Sequence, residues 1–301
     1  MYTTALHSNA INDVLSVIDE KNSPFASYLG ETAKSYTPMF PRYVAITELD
    51  KLILSQVNKY RILTVALLHQ ILLNLGKTNV TELTVKYRLR ELSDGQFLTK
   101  TQFFNNRGAK TIYCYSMGYR GRGLLKALSI DQNLSGYISA LGNDSVRIKK
   151  ILATNQFLIR TCVPTNNIEI CQAVFAKQMF KNSTDYVFRP QAVIQEDTGT
   201  RIIEAVRRDN GWEEELTNKL DRVATVLKRK AHNIPLTNPS LTLIAENRVH
   251  MKEVMELVQH KYRFPITYAC DTMIFQTPDN CTYQVSREGV FGAILKKVAG
   301  F

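Results

Sequence analysis

The sequence predicts an α+β chain: an N-terminal winged helix-turn-helix followed by an α/β domain with a mixed sheet. Three observations predict it. Apolar residues recur at helical spacing in three short runs between Glu48 and Leu92, two strand-like runs joined by a turn follow, and beyond about Cys162 strand and helix patterns alternate.

In chain order, a helix is expected over about 10–20, with Ile11, Val14, Leu15 and Ile18 on one side. The remainder up to residue 46 contains Pro24, Gly30, Pro38 and Pro41 and reads as a linker or a segment draped on another surface. A helix from Glu48 to Lys59 buries Leu49, Leu52, Ile53 and Val57, and Arg61-Ile62-Leu63 breaks it. Thr64 is suited to cap the next helix, whose Leu67, Leu68, Ile71, Leu72 and Leu75 continue the core until Gly76 closes it. The third, Thr81 to Leu92, turns Val85, Leu89 and Leu92 inward and leaves Lys86, Arg88 and Arg90 to point elsewhere. A helix with one apolar stripe and several cations suits a major groove, where phosphates flank it on both sides.

Asp94-Gly95 ends that helix, and strands over 97–104 and 111–116 enclose the loop Asn105-Asn106-Arg107-Gly108-Ala109-Lys110, which places two cations at a hairpin tip. From 47 to 128 there are thirteen Lys or Arg against five acids, so +8 of the chain's +11 sits in this window. The candidate DNA-binding residues are Thr84, Lys86, Tyr87, Arg88, Arg90, Arg107, Lys110, Arg120 and Arg122. The bland rival is a helical core with a solvated basic face.

Gly118, Gly121 and Gly123 alternate with Tyr119, Arg120 and Arg122, but no Gly-Lys-Ser/Thr ending follows, which argues against a nucleotide loop. A basic turn opening a helix is the simpler reading, with backbone amides there able to hold a phosphate. Helices over about 133–141 and 145–160 make a connector. Strands over 191–195 and 201–207 flank a turn, then come a helix over 213–230, a strand over 241–245, a helix over 248–262 and a strand over 266–275. The domain boundaries are thus 1–46, 47–128, 129–161 and 162–301.

A chain of 301 residues with 45 % hydrophobic and 22 % charged residues can bury a sizeable core. Its pI near 9.4 favours a polyanionic partner. No apolar run reaches the ~20 residues of a bilayer span and no signal peptide opens the chain, so membrane insertion is not expected and a cytoplasmic location is. Five cysteines (114, 162, 171, 270, 281) without a Cys-x-x-Cys pair read as reduced, buried thiols, and His250 and His260 are too far apart for a two-ligand site on one helix. Glu213-Glu214-Glu215 in a first helical turn suits the macrodipole rather than a metal, and Trp212 reads as that helix's anchor.

Leu63-Thr64, Tyr87-Arg88-Leu89-Arg90-Glu91-Leu92 with Gly95-Gln96-Phe97-Leu98, Arg189-Pro190-Gln191-Ala192-Val193-Ile194, Ile202-Ile203-Glu204-Ala205-Val206-Arg207-Arg208 and the later Lys219-Leu220 together resemble the replication-relaxation family of plasmids and mobile elements in Gram-positive bacteria. The resemblance spans about 48–268. It implies that the second domain is nuclease-like, similar to the PD-(D/E)xK superfamily, in which an Asp and a Glu-x-Lys on adjacent strands bind Mg²⁺. This chain has Gln191 and Val206 where that pattern wants Asp and Lys. Glu204 alone cannot hold a catalytic metal.

The expectation is therefore a non-enzymatic protein that binds double-stranded DNA in plasmid or mobile-element replication, conjugative transfer or their regulation, with no catalytic residue, metal or cofactor. A homodimer and replication or transfer proteins are open as further partners. Two rivals stand: a Mg²⁺-dependent nuclease or relaxase, for which Glu204, Asp185, Asp209 and Lys219 are the fallback residues, and a winged-helix adaptor that binds only protein.

Overall fold

Three hydroxyl side chains punctuate the first helices. Thr47 accepts from the Asp50 N–H while Asp50 accepts from the Thr47 N–H, a reciprocal box that starts α1 (Glu48–Tyr60). Thr64 accepts from Leu67 N–H to start α2 (Val65–Asn74), and Thr81 from Thr84 N–H to start α3 (Glu82–Asp94). Each satisfies an amide that a helix cannot pair for itself.

The computed structural model describes residues 23, 25–26, 31–104, 110–130, 144–161, 169–172, 190–196, 199–229, 238–258, 261–262, 264–276, 282–287 and 293–298. Among them the chain is mixed α/β, with eight helices and two sheets. Residues 27–155 form one compact unit and residues 1–26 with 156–301 another. No described helix is long and apolar enough to cross a membrane. The helices expected over 10–20 and 133–141 lie outside the described residues.

In the unit 27–155, β1 (Thr32–Tyr36), β2 (Ile62–Leu63), β3 (Leu98–Phe104) and β4 (Lys110–Met117) form an antiparallel sheet in the order β1-β3-β4-β2. The β3–β4 hairpin is the expected one. Two strands were not expected: Ile62 and Leu63, read as a break, pair with Ser116 and Tyr115, while the supposed linker supplies β1, which runs from Thr32↔Phe104 to Tyr36↔Lys100. Both pairings join residues distant in sequence, which local patterning cannot reveal. Ile53, Leu54, Val57, Leu68, Leu72, Val85, Leu89, Leu92 and Leu98 are buried, the three α-helices sharing one core with the hairpin. After β4 comes α4 (Tyr119–Ala127), and α5 (Ser145–Thr161) extends to the division between the units, at 155/156. That division falls inside α5 instead of after a separate connector. Asn155 Nδ2 donates to the carbonyls of Tyr60 (2.8 Å) and Ile62 (2.7 Å), and Lys149 and Glu31 form a buried ion pair.

The other unit is built on a seven-stranded mixed sheet, β11-β10-β9-β8-β7-β6-β5. Its strands are β5 (Glu169–Gln172), β6 (Ala192–Glu196), β7 (Gly199–Ala205), β8 (Ser240–Ala245), β9 (Ile266–Cys270), β10 (Thr282–Arg287) and β11 (Ala293–Val298). The central strands β7, β8 and β9 are parallel. Parallel neighbours need crossovers, supplied by α6 (Trp212–Arg229) and α7 (Arg248–Val258). Leu241 to Ala245 is a continuous buried run, as expected for a strand covered on both faces. The strand expected over 266–275 stops at Cys270. Residues Asp271–Gln276 form a short helix, α8, with the acid in its first turn, and the apolar run Met273-Ile274 had concealed that change.

Candidate nucleic-acid interface

Helix α3 sorts its side chains by the 3.6-residue period. Val85, Leu89 and Leu92 are buried, and the opposite face carries Leu83 and Tyr87, each 57 % exposed, with Lys86 and Arg90 also exposed. Leu83, Tyr87 and Arg90 follow one another at four- and three-residue steps, so they form one stripe with Lys86 beside it. No ion pair among the described residues engages Lys86 or Arg90. Thr84 is exposed, its hydroxyl 2.9 Å from that of Thr81, at the capped start of the helix.

Arg88 corrects the sequence expectation. Its Nε donates to Asp50 Oδ1 (2.8 Å), its other nitrogens reach Asp50 Oδ2, Glu91 and the Ala45 carbonyl (3.2 Å), and it spans α1 and α3. Asp50 is fully buried. Burial opposes its charge, yet the hydrogen bonds from Arg88 and Thr47 outweigh that cost and hold its carboxyl below the usual range. Arg88 is thus a buried acid's counter-ion, not a group free for a base edge. A signal was present in the sequence: Asp50, Ile53, Leu54 and Val57 share one helical face, so an acid stood on the apolar stripe and required a cation.

The glycines after the hairpin also have a packing cause. A Cβ at Gly121 would come 2.2 Å from the Phe97 carbonyl oxygen, and one at Gly118 2.5 Å from that of Gln96. Gly118 N–H donates to the Phe97 carbonyl (2.9 Å) and Arg120 N–H to that of Gln96 (3.3 Å), so these amides at the start of α4 are taken and the expected phosphate seat is not offered by them. Arg120 donates to the Gly95 carbonyl (3.0 Å) with its guanidinium over the Phe97 ring (4.7 Å). Arg122 is half-buried, one turn into the helix. Arg107 lies outside the described residues. Lys110 opens β4, with its side chain outside them.

In the other unit, Glu204 is buried on β7 and pairs with Lys219 of α6 (2.5 Å). The Gln191 N–H donates to its other oxygen (3.2 Å), while Gln191 Oε1 accepts from Ala205 N–H (2.9 Å). The structure therefore brings Gln191, Glu204 and Lys219 together, with the amide of Gln191 used to fasten β7. Asp209 stands at the start of α6, its carbonyl accepting from Trp212 N–H (3.3 Å), and Asp185 lies outside the described residues. Among the described residues no three His, Cys, Asp or Glu gather as a metal would require. Arg207 and Arg208, neighbours of Glu204 in sequence, pair instead with Asp271 and Glu253.

Beyond the ends of the parallel strands, the Arg207 guanidinium meets both oxygens of Asp271 (3.1 and 2.9 Å), which Ser23 also reaches (2.5 Å). Burial pushes the Asp271 carboxyl up to about 6, against the pull of Arg207 and Ser23. His250 accepts from the Glu246 N–H at Nδ1 (3.3 Å) and meets the edge of Trp212 at 4.8 Å. Burial first, then Arg208 and Arg207, push its pKa down to about 3, so the ring is neutral. Trp212 anchors α6 against α7 through this contact. Cys114 and Cys270 are free and buried, their thiols pushed up to about 12 and about 11 by burial.

The comparisons add no relative: no family model, no curated protein and no solved structure matches the chain.

Proposed function

We propose that residues 27–155 act as a winged helix-turn-helix that binds double-stranded DNA, α3 lying in the major groove and the β3–β4 hairpin serving as the wing. The observation that carries this reading is the outward stripe of Leu83, Tyr87 and Arg90, with Lys86 beside it, on a capped helix, in a unit with eighteen Lys or Arg against eight acids. Cations on such a face reach phosphates and base edges, and exposed apolar groups can meet thymine methyls. The groove role falls to Lys86, Tyr87 and Arg90, with Arg88 positioning α3 from behind. Arg107 and Lys110 at the wing remain proposed phosphate contacts. The setting proposed is plasmid or mobile-element replication, transfer or their regulation, in keeping with the resemblance to the replication-relaxation family, and the second unit is proposed as a nuclease-like scaffold that does not cut.

The test is duplex binding by the full chain and its variants. Lys86→Ala and Arg90→Ala should each weaken binding by ~1 to 3 kcal/mol, the smaller loss marking a phosphate contact and the larger a base contact. Unchanged affinity in both at moderate salt would overturn the groove assignment. The same samples with supercoiled DNA and Mg²⁺ test the enzyme rival: nicking lost in Glu204→Ala would replace the proposal with a nuclease.

A further inference from the structure

Between β1 and α1 the backbone is fastened and the large side chains are not. Gln96 Nε2 donates to the Pro38 carbonyl (2.6 Å), Arg42 N–H to the Asp94 carbonyl (3.0 Å), and Arg88 to the Ala45 carbonyl. Val44 packs on Gly95, where a Cβ would come 2.7 Å from its methyl. Pro38 and Pro41 restrict the chain further. On this fixed strap Met39, Phe40 and Tyr43 are 86 %, 78 % and 92 % exposed, and Tyr36 at its start is also exposed. A fold gains by burying such groups, so a cluster of them on a held backbone marks a presented surface.

We propose that the strap is a stacking platform for unpaired bases of single-stranded DNA. Every base offers a π-face to an aromatic ring, and a basic surround holds the backbone. Charge selects this occupant. Arg42 projects from the strap itself, its side chain 78 % exposed with Asp94 at 3.9 Å, and the unit that carries it has a net charge of +10, from eighteen cations and eight acids. A second copy would carry the same net +10 and be repelled as a whole, whereas a polyanion is drawn to it. The inference rests on the duplex-binding reading of α3, and extends it to a junction where duplex and single strand meet.

The experiment is fluorescence anisotropy of the full chain with a labelled thymidine oligonucleotide and, separately, a blunt duplex. Phe40→Ala with Tyr43→Ala, its fold checked by circular dichroism, should weaken single-strand binding about tenfold or more while changing duplex binding less than about twofold. Lys86→Ala with Arg90→Ala should do the reverse. Unchanged single-strand affinity in the strap variant, or an equal loss on both DNAs, would overturn the platform. So would a wild-type dimer in sedimentation that the strap variant abolishes, since a second copy would then be the occupant. A wild type that binds the duplex but not the oligonucleotide refutes the strap alone; a wild type that binds neither DNA refutes the α3 reading as well.

Discussion

The two units use charge in opposite ways. Residues 27–155 hold +10 of the chain's +11; the other unit has twenty Lys or Arg against nineteen acids, +1. In the second unit Arg207, Arg208, Lys219 and Lys261 are matched to Asp271, Glu253, Glu204 and Asp221. In the first, Arg88 and Lys149 serve buried Asp50 and Glu31, and Lys86 and Arg90 remain on the surface of α3. The difference teaches that the number of cations does not by itself mark a candidate interface, because those spent on internal pairs must first be subtracted.

The largest expected effect breaks the matched side of this comparison. Arg207→Ala leaves Asp271 buried without its guanidinium and should cost about 3–5 kcal/mol, read by urea unfolding. Arg207→Met with Asp271→Leu should cost less than that single change, because no charge stays buried; a double variant worse than Arg207→Ala would refute the ion-pair account.

Next is Arg88→Ala, which sharpens the comparison within the basic unit. Asp50 keeps its Thr47 contacts but loses its cation, so stability should fall by about 3 kcal/mol while the preference of the surviving folded protein among duplex sequences stays as it was. Wild-type stability with altered sequence preference would return Arg88 to the groove.

The smallest effect is a titration. The fold prefers neutral His250, so the unfolded chain takes up the proton first and stability declines as pH falls from the ordinary value near 6.5 toward about 3. The loss between pH 7 and pH 6 should be under about 1 kcal/mol, growing below that. Asp271 has the opposite sign: its raised folded value means the native state binds that proton first, offsetting part of the loss from about pH 6 downward. The His250 ring resonance isolates its own term. It should show no titration above about pH 4, whereas a midpoint near 6.5 would contradict its burial.

Much of this architecture was legible locally. Thr64 and Thr81 announced their helices, Asp94-Gly95 the end of α3, and Glu213 to Glu215 the first turn of α6. The misses have physical causes. β1 and β2 exist only through partners far along the chain, and α8 begins at Asp271-Thr272, a short polar step between the apolar runs of β9 and Met273-Ile274. At the site, periodicity separated the faces of α3 correctly, and the acid on the apolar face of α1 called for a cation, but neither named Arg88, thirty-eight residues later, as the one that meets Asp50. The exposed strap lacked any pattern because its order comes from Gln96, Asp94 and Arg88, not from its own sequence.

The most direct measurement is the affinity of the full chain for a blunt duplex across a salt series. If the surplus charge of residues 27–155 forms the interface, the logarithm of the binding constant should fall linearly with that of salt concentration, with a slope of about −3 to −4 for roughly four phosphate contacts, and Lys86→Ala should reduce that slope by about one when Lys86 meets a phosphate. Failure to bind at low salt, or a slope near zero, would contradict the account.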